Sequence, residues 1–245
     1  MTALQNSRTP AAAGTRSRKV LWGVVILLVA IGLAAVARRA YVLISPAQIA
    51  SQPDVSRLAA ARSLDAGFRA HRALTFLHII PAFLFFSLMP FQFVPAIRRR
   101  HPEWHRWSGR LLLLLGAVIG VSALVMSFTM NIGGASETAA TTLFAILFLL
   151  FLGFGFWNIR RRRIAAHREW MIRAFGVALG VAATRPIIGA FFAAGRLSPH
   201  EFFGAAFWLG FTTTLLGAEG WIHYSARHSA VSRNQFPDGT LLFFR

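Results

Sequence analysis

Ile97-Arg98-Arg99-Arg100 is followed, four residues on, by His105-Arg106, and Ile159-Arg160-Arg161-Arg162 is followed, again four residues on, by His167-Arg168. Each copy closes one long apolar run and opens another. A cationic stop, a histidine at fixed distance and a new hydrophobic segment, used twice, predict a duplicated helical hairpin. The duplication would set His105 and His167 level with each other on one side of a membrane.

Outward from these motifs the chain is apolar. Of its 245 residues 56% are hydrophobic and 14% charged, and the mean hydropathy is +0.54. Soluble domains carry about 25% charged residues, so the class is membrane protein. A spanning helix needs about 20 apolar residues. Six segments qualify: Val20–Ala37, Ala73–Pro95, Leu111–Met130, Ala139–Trp157, Ile172–Ala194 and Phe202–Ile222. Backbone groups cannot stay unpaired in lipid, so runs of this length predict an all-α polytopic bundle. The expected division is a basic leader over 1–19, a first transmembrane helix over 20–37, an outer loop over 38–72, a five-helix core over 73–223 and a tail over 224–245. A cleavable signal peptide ending at Ala35-Val36-Ala37 is the alternative for the first segment; the long polar leader favours a retained anchor.

Arginine in short loops sets orientation. Arg98, Arg99, Arg100, Arg106 and Arg110 lie between the second and third segments. Arg160 to Arg163, Arg168 and Arg173 lie between the fourth and fifth. The opposite turns hold only Arg196. Both termini are therefore expected in the cytoplasm of a bacterium, with the chain in its inner membrane. Trp22, Trp104, Trp107, Trp157, Trp170 and Trp221 fall near that boundary, as an aromatic belt does. The outer loop is the exception, since Arg38–Arg72 carries six arginines, with a short surface helix expected over Asp54–Arg69. A formal charge of +18 would suit nucleic acid on one solvated face. Here the arginines flank apolar runs, which excludes that partner and points to anionic lipid. A homo-oligomer is among the arrangements the sequence allows. Cysteine is absent, so thiolate chemistry is excluded.

Close packing in lipid uses small residues. Gly116 and Gly120, and Gly176 and Gly180 continued by Thr184, offer two such faces on the helices that follow the repeated motif. Their direct contact would bring His105 to His167; the alternative is that each glycine pair faces another helix. Pro81, Pro90 and Pro186 predict bends.

Polar residues inside the apolar runs fall into two groups. The outer one is His78 and Arg185, with His71; a charge at that depth should face the interior and find a partner. The inner one is His105, His167, His223 and Glu219, framed by Arg106 and Arg168, with Gln92 nearby as an interior hydrogen-bonding group. Three readings of the inner group stand open. His105 and His167 on facing helices suit the axial positions of a haem b iron, with Arg106 and Arg168 for its anionic groups. His105, His167, His223 and Glu219 suit a transition metal. Or all of them are interfacial groups that hold lipid headgroups. No nucleophile arrangement or nucleotide-binding glycine loop is present.

The run His101-Pro102-Glu103-Trp104-His105-Arg106-Trp107-Ser108-Gly109-Arg110, with His167-Arg168-Glu169-Trp170-Met171-Ile172-Arg173, resembles an uncharacterised family of bacterial multipass membrane proteins of unknown function. His78, Gln92-Phe93, Arg185 and Glu219-Gly220-Trp221 fit the same pattern, and the likeness covers about 73–223. A more distant likeness to b-type cytochrome and ferric reductase bundles implies haem. The fourth segment has no histidine, unlike the two-haem version. The functional expectation is haem- or metal-linked redox chemistry at the cytoplasmic end. Its rival is a non-enzymatic transporter or lipid-interacting protein.

Overall fold

The computed structural model describes residues 10–45 and 65–235, and all of its regular structure is helical. The elements are α1 (Pro10–Ile44), α2 (Arg72–Leu88) running into a 3₁₀ turn (Met89–Phe93), a short α3 (Pro95–Arg100), α4 (Pro102–Thr129), α5 (Gly134–Arg160), α6 (Ile164–Ala194) and α7 (Pro199–Gln235). Five stretches are long and apolar enough to cross a membrane: Arg16–Ile44, Arg72–Phe93, Pro102–Thr129, Gly134–Arg160 and Ile164–Ala194. The sixth expected span falls in α7. It is long, but its apolar stretch includes Thr212, Thr213, Thr214 and Glu219, and it is not among those five. Residues 65–70 are helical, while the greater part of the surface helix expected over Asp54–Arg69 lies outside the described residues.

The connections explain the packing. Asn131 to Gly133, Arg161 to Arg163 and Gly195 to Ser198 are so short that each helix folds back against the one before it. α2 packs on α4, α4 on α5, α5 on α6, and α6 on α7, which also touches α5; α1 lies across α2 and α6. α4 and α6 therefore stand diagonally. Of the two arrangements open to the glycine pairs, contact with each other or with another helix, the second is found. A Cβ on Gly116 would lie 2.6 Å from Leu152, and one on Gly120 2.6 Å from Leu149, both on α5. A Cβ on Gly176 would lie 2.7 Å from Ala218, and one on Gly180 2.9 Å from the Phe211 Cα, both on α7. Each pair serves the helix next in sequence.

Phe85 sits at the centre, 1% exposed, with ring centroids 5.9 Å from Phe148 and 5.7 Å from Phe175. Leu112, Leu152, Ala174 and Ala182 close the core around it. Pro81 and Pro186 lie within unbroken α2 and α6, and Pro90 falls where α2 tightens into its 3₁₀ turn. The α5–α6 turn is tight: the buried Asn158 accepts the Arg161 and Arg163 N–H groups at its carbonyl, and Arg162 takes φ 58°, a left-handed value unusual for a residue with a Cβ.

Candidate functional site

The duplicated motifs meet at one end of the bundle. Pro102 at the first turn of α4 leaves no orphan N–H, and His105 follows one turn in. His105 Nδ1 is buried and is the one buried side-chain polar atom, among the described residues, without a hydrogen-bond partner. Its electrostatic neighbours are Arg98, His167 and Arg106. Diagonal helices thus bring the two histidines within reach of each other's charge, although α4 and α6 do not share a glycine seam.

His167 Nδ1 lies 2.8 Å from the Gly155 carbonyl. A carbonyl can only accept, so Nδ1 carries a proton in this contact. Gly155 also lets α6 pack closely, because a Cβ there would meet Met171 Sδ at 2.7 Å. Gln92 donates through Nε2 to Ser108 Oγ at 2.7 Å, and Ser108 in turn donates to the Trp104 carbonyl. This ties the end of α2 to the first turns of α4, beside His105.

Around this pair stand Arg98, Arg99, Arg100, Arg106, Arg110, Arg160, Arg161, Arg162, Arg163 and Arg168, all exposed. Against them, among the described residues, stands one exposed carboxylate, Glu103, while the half-buried Glu169 lies 3.8 Å from Arg173. Arg161 and Arg110 cover the Trp157 and Trp107 rings, 3.9 and 4.8 Å from the centroids. Between α4 and α5, starting at Arg110, a groove of about 410 Å³ runs along Leu113, Leu114, Ala117, Leu149, Leu152, Gly153 and Phe156.

Glu219 and His223 do not join the imidazole pair. Arg173 donates to both Glu219 oxygens, at 2.6 and 3.0 Å, and His223 is exposed. α7 packs on the Gly176–Gly180 face of α6, whereas His167 projects from another face. Among the described residues no three His, Asp or Glu side chains gather as metal ligands would. A haem would need an open slot between α4 and α6. One to two turns below the imidazoles Leu112, Ala174 and Phe175 are 1%, 0% and 4% exposed, and the Phe93 and Phe175 rings meet at 4.7 Å. The nitrogen chemistry suits a ligand, but this packing does not fit a macrocycle.

At the opposite end Ser122 Oγ donates to the Val118 carbonyl at 2.6 Å and is hydrogen-bonded with His78 Nδ1 at 2.9 Å. The buried Glu137, in the first turn of α5, accepts the Ile132 and Gly133 N–H groups at 2.7 and 2.6 Å. Asp65 holds Arg39 at 2.6 Å and Arg38 at 3.4 Å, and Arg39 also covers the Phe68 ring at 3.7 Å. Arg185 interacts electrostatically with Arg39, Arg38 and Glu137, and with His78, yet keeps an exposed side chain. No described residue forms an ion pair or hydrogen bond with it, contrary to the interior partner expected for it. His71 is exposed at the start of α2. Sequence reasoning missed Glu137, although an acid just after Gly133-Gly134 is a helix-start signal. It also missed Ser122 and Gly155, which carry no signal without their partners.

The sequence profile of the family described as Predicted membrane protein (DUF2306) matches residues 75–222, more than half of the chain, and the chain belongs to that family. No curated protein and no solved structure matches it. The match is a membrane protein of unknown function, in agreement with the resemblance carried by the paired arginine-histidine motifs.

Proposed function

We propose that the protein is a non-enzymatic, lipid-interacting membrane protein that holds anionic phospholipid at its arginine-rich end. His105, His167, Arg106 and Arg168 form the headgroup site, and the groove below Arg110 takes an acyl chain. The observation that carries this reading is the excess of positive charge: among the described residues ten exposed arginines stand with one exposed glutamate around a buried imidazole nitrogen without a partner. Charges at a lipid boundary are costly without a counter-charge, and basic clusters between transmembrane helices suit phosphate headgroups. By the density of arginine in its short loops this end faces the cytoplasm of a bacterial inner membrane. α7 would be the sixth span, with both termini on that side.

The full chain, purified in mild detergent from mixed phosphatidylglycerol and phosphatidylcholine vesicles, tests this by native mass spectrometry. Preferential retention of phosphatidylglycerol, lost when Arg106, Arg110 and Arg168 are changed to Gln, is expected. Equal retention of both lipids would overturn the reading. So would a reduced-minus-oxidised haem band in wild-type membranes that vanishes in His105→Ala and His167→Ala, because the pair would then be axial ligands.

A further inference from the structure

We infer that a groove between α4 and α5, at the end of the bundle opposite the arginine ring, binds an uncharged lipid through a hydroxyl headgroup. This does not rest on the anionic-lipid reading, which concerns other residues at the other end.

The groove holds about 630 Å³, and its walls include Phe128, Asn131, Thr138, Thr142, Leu143 and Ile146. Small-molecule sites commonly enclose roughly 300–1,000 Å³. Phe128, Leu143 and Ile146 are exposed on helices long and apolar enough to cross a membrane, so the groove opens to lipid tails. Its polar groups gather toward the turn between the two helices, while Leu143 and Ile146 carry an apolar wall deeper.

Hydrogen bonding decides what the polar end can take. Ser127 is buried and donates its hydroxyl proton to the Leu124 carbonyl at 2.7 Å. Thr142 Oγ1, 3.3 Å from Ser127 Oγ, is therefore the donor of that contact. Thr138 donates to the Ser127 carbonyl at 2.8 Å, and Asn131 Nδ2 donates there at 3.2 Å. Both threonine protons are thus spent on the protein, and both oxygens keep lone pairs. Asn131 keeps its Oδ1 and a second N–H at the rim. Such a set takes a group that donates and also accepts, as a hydroxyl does.

Charge argues against an anion. Among the described residues none that lines the groove is ionisable, although His200 of α7 meets Gly134 at its edge. Arg38, Arg39, Arg69, Arg72, Arg185 and Arg196 of this end lie on or beside α1, α2 and α6, and none of them lines it. A helix start favours negative charge, but Glu137 already supplies it in the first turn of α5.

The probe is a long-chain alcohol with a photoactivatable diazirine in its tail, and the full chain is held in phosphatidylcholine nanodiscs. Its methyl ether and its sulfate ester are the chain-matched controls. Saturable labelling of the α4 and α5 peptides that hold Phe128 and Ile146, read by peptide mass, is expected from the alcohol. The ether has no proton to give and the sulfate is charged, so each should label roughly fivefold less, as loss of one hydrogen bond implies. Changing both threonines, Thr138→Val with Thr142→Val, should weaken labelling by the alcohol to a similar degree. Thr138→Ser with Thr142→Ser should keep it, and Arg106→Gln should leave it unchanged. Equal labelling by the ether or the sulfate, or a valine variant that labels as wild type, would overturn the inference. So would absence of saturable labelling, the result expected if protein filled the groove. If the valine variant does not fold, the ratio of alcohol to ether labelling in the wild type decides the matter.

Discussion

The two ends of the bundle are both cationic and manage their charge in opposite ways. At the arginine-rich end the guanidinium groups point outward, stack on Trp157 and Trp107, and meet almost no carboxylate. At the other end Arg38 and Arg39 are gathered on Asp65, and Glu137 is enclosed against backbone N–H groups. The difference shows that a charge does different work according to its depth. At the first end the cations lie exposed; at the second the fold itself supplies opposing groups, Asp65 to the two arginines and backbone N–H groups to Glu137.

The contrast can be broken most severely at the enclosed end. Glu137→Ala leaves the Ile132 and Gly133 N–H groups without an acceptor in a buried turn, an expected loss of about 3 kcal/mol. Unfolding in detergent measures it, and a loss below about 1 kcal/mol would mean that the carboxylate does not organise that turn. A sharper comparison comes from the Arg173–Glu219 pair, which joins α6 to α7 and is only partly buried. A double-mutant cycle with Arg173→Met and Glu219→Gln should give a coupling of about 1 kcal/mol, since exposure and screening weaken such pairs. Additive losses would remove the pair as a helix tie.

The smallest effect belongs to the start of α7. Ser198 donates through both N–H and Oγ to the Glu201 carboxylate, at 2.7 and 2.8 Å, the N–H bond being the carboxylate half of a capping box. The backbone bond first, and then the hydroxyl, hold the Glu201 carboxyl below the ordinary glutamate value. A lowered folded value means stability that is present above the usual glutamate range and lost as pH falls through the lowered one. Glu201→Gln should remove that acidic component from a profile of melting temperature against pH. An unchanged profile would show that the cap does not titrate.

Much of this architecture was legible in advance. Five of the six expected apolar runs fall on described helices long and apolar enough to cross a membrane, and the sixth falls in α7, because length and hydropathy are local properties, read without knowing any neighbour. The level of His105 and His167 was legible too, since each histidine stands at the same distance from a cationic stop. The partners were not. Gly116 and Gly176 carry the same spacing, and nothing local says which helix each will meet; connection length chose the sequential neighbours. Glu219 shared a level with the histidines, but its position across α6 follows from the α7 packing face. Apolar length, arginine placement and paired imidazoles were therefore written in the chain, because hydrophobic burial and charge cost act residue by residue. That Arg173 should take Glu219 and that His167 should meet the Gly155 carbonyl were decided only in three dimensions. Those contacts join helices distant in sequence, and their energies exist only once the bundle has closed.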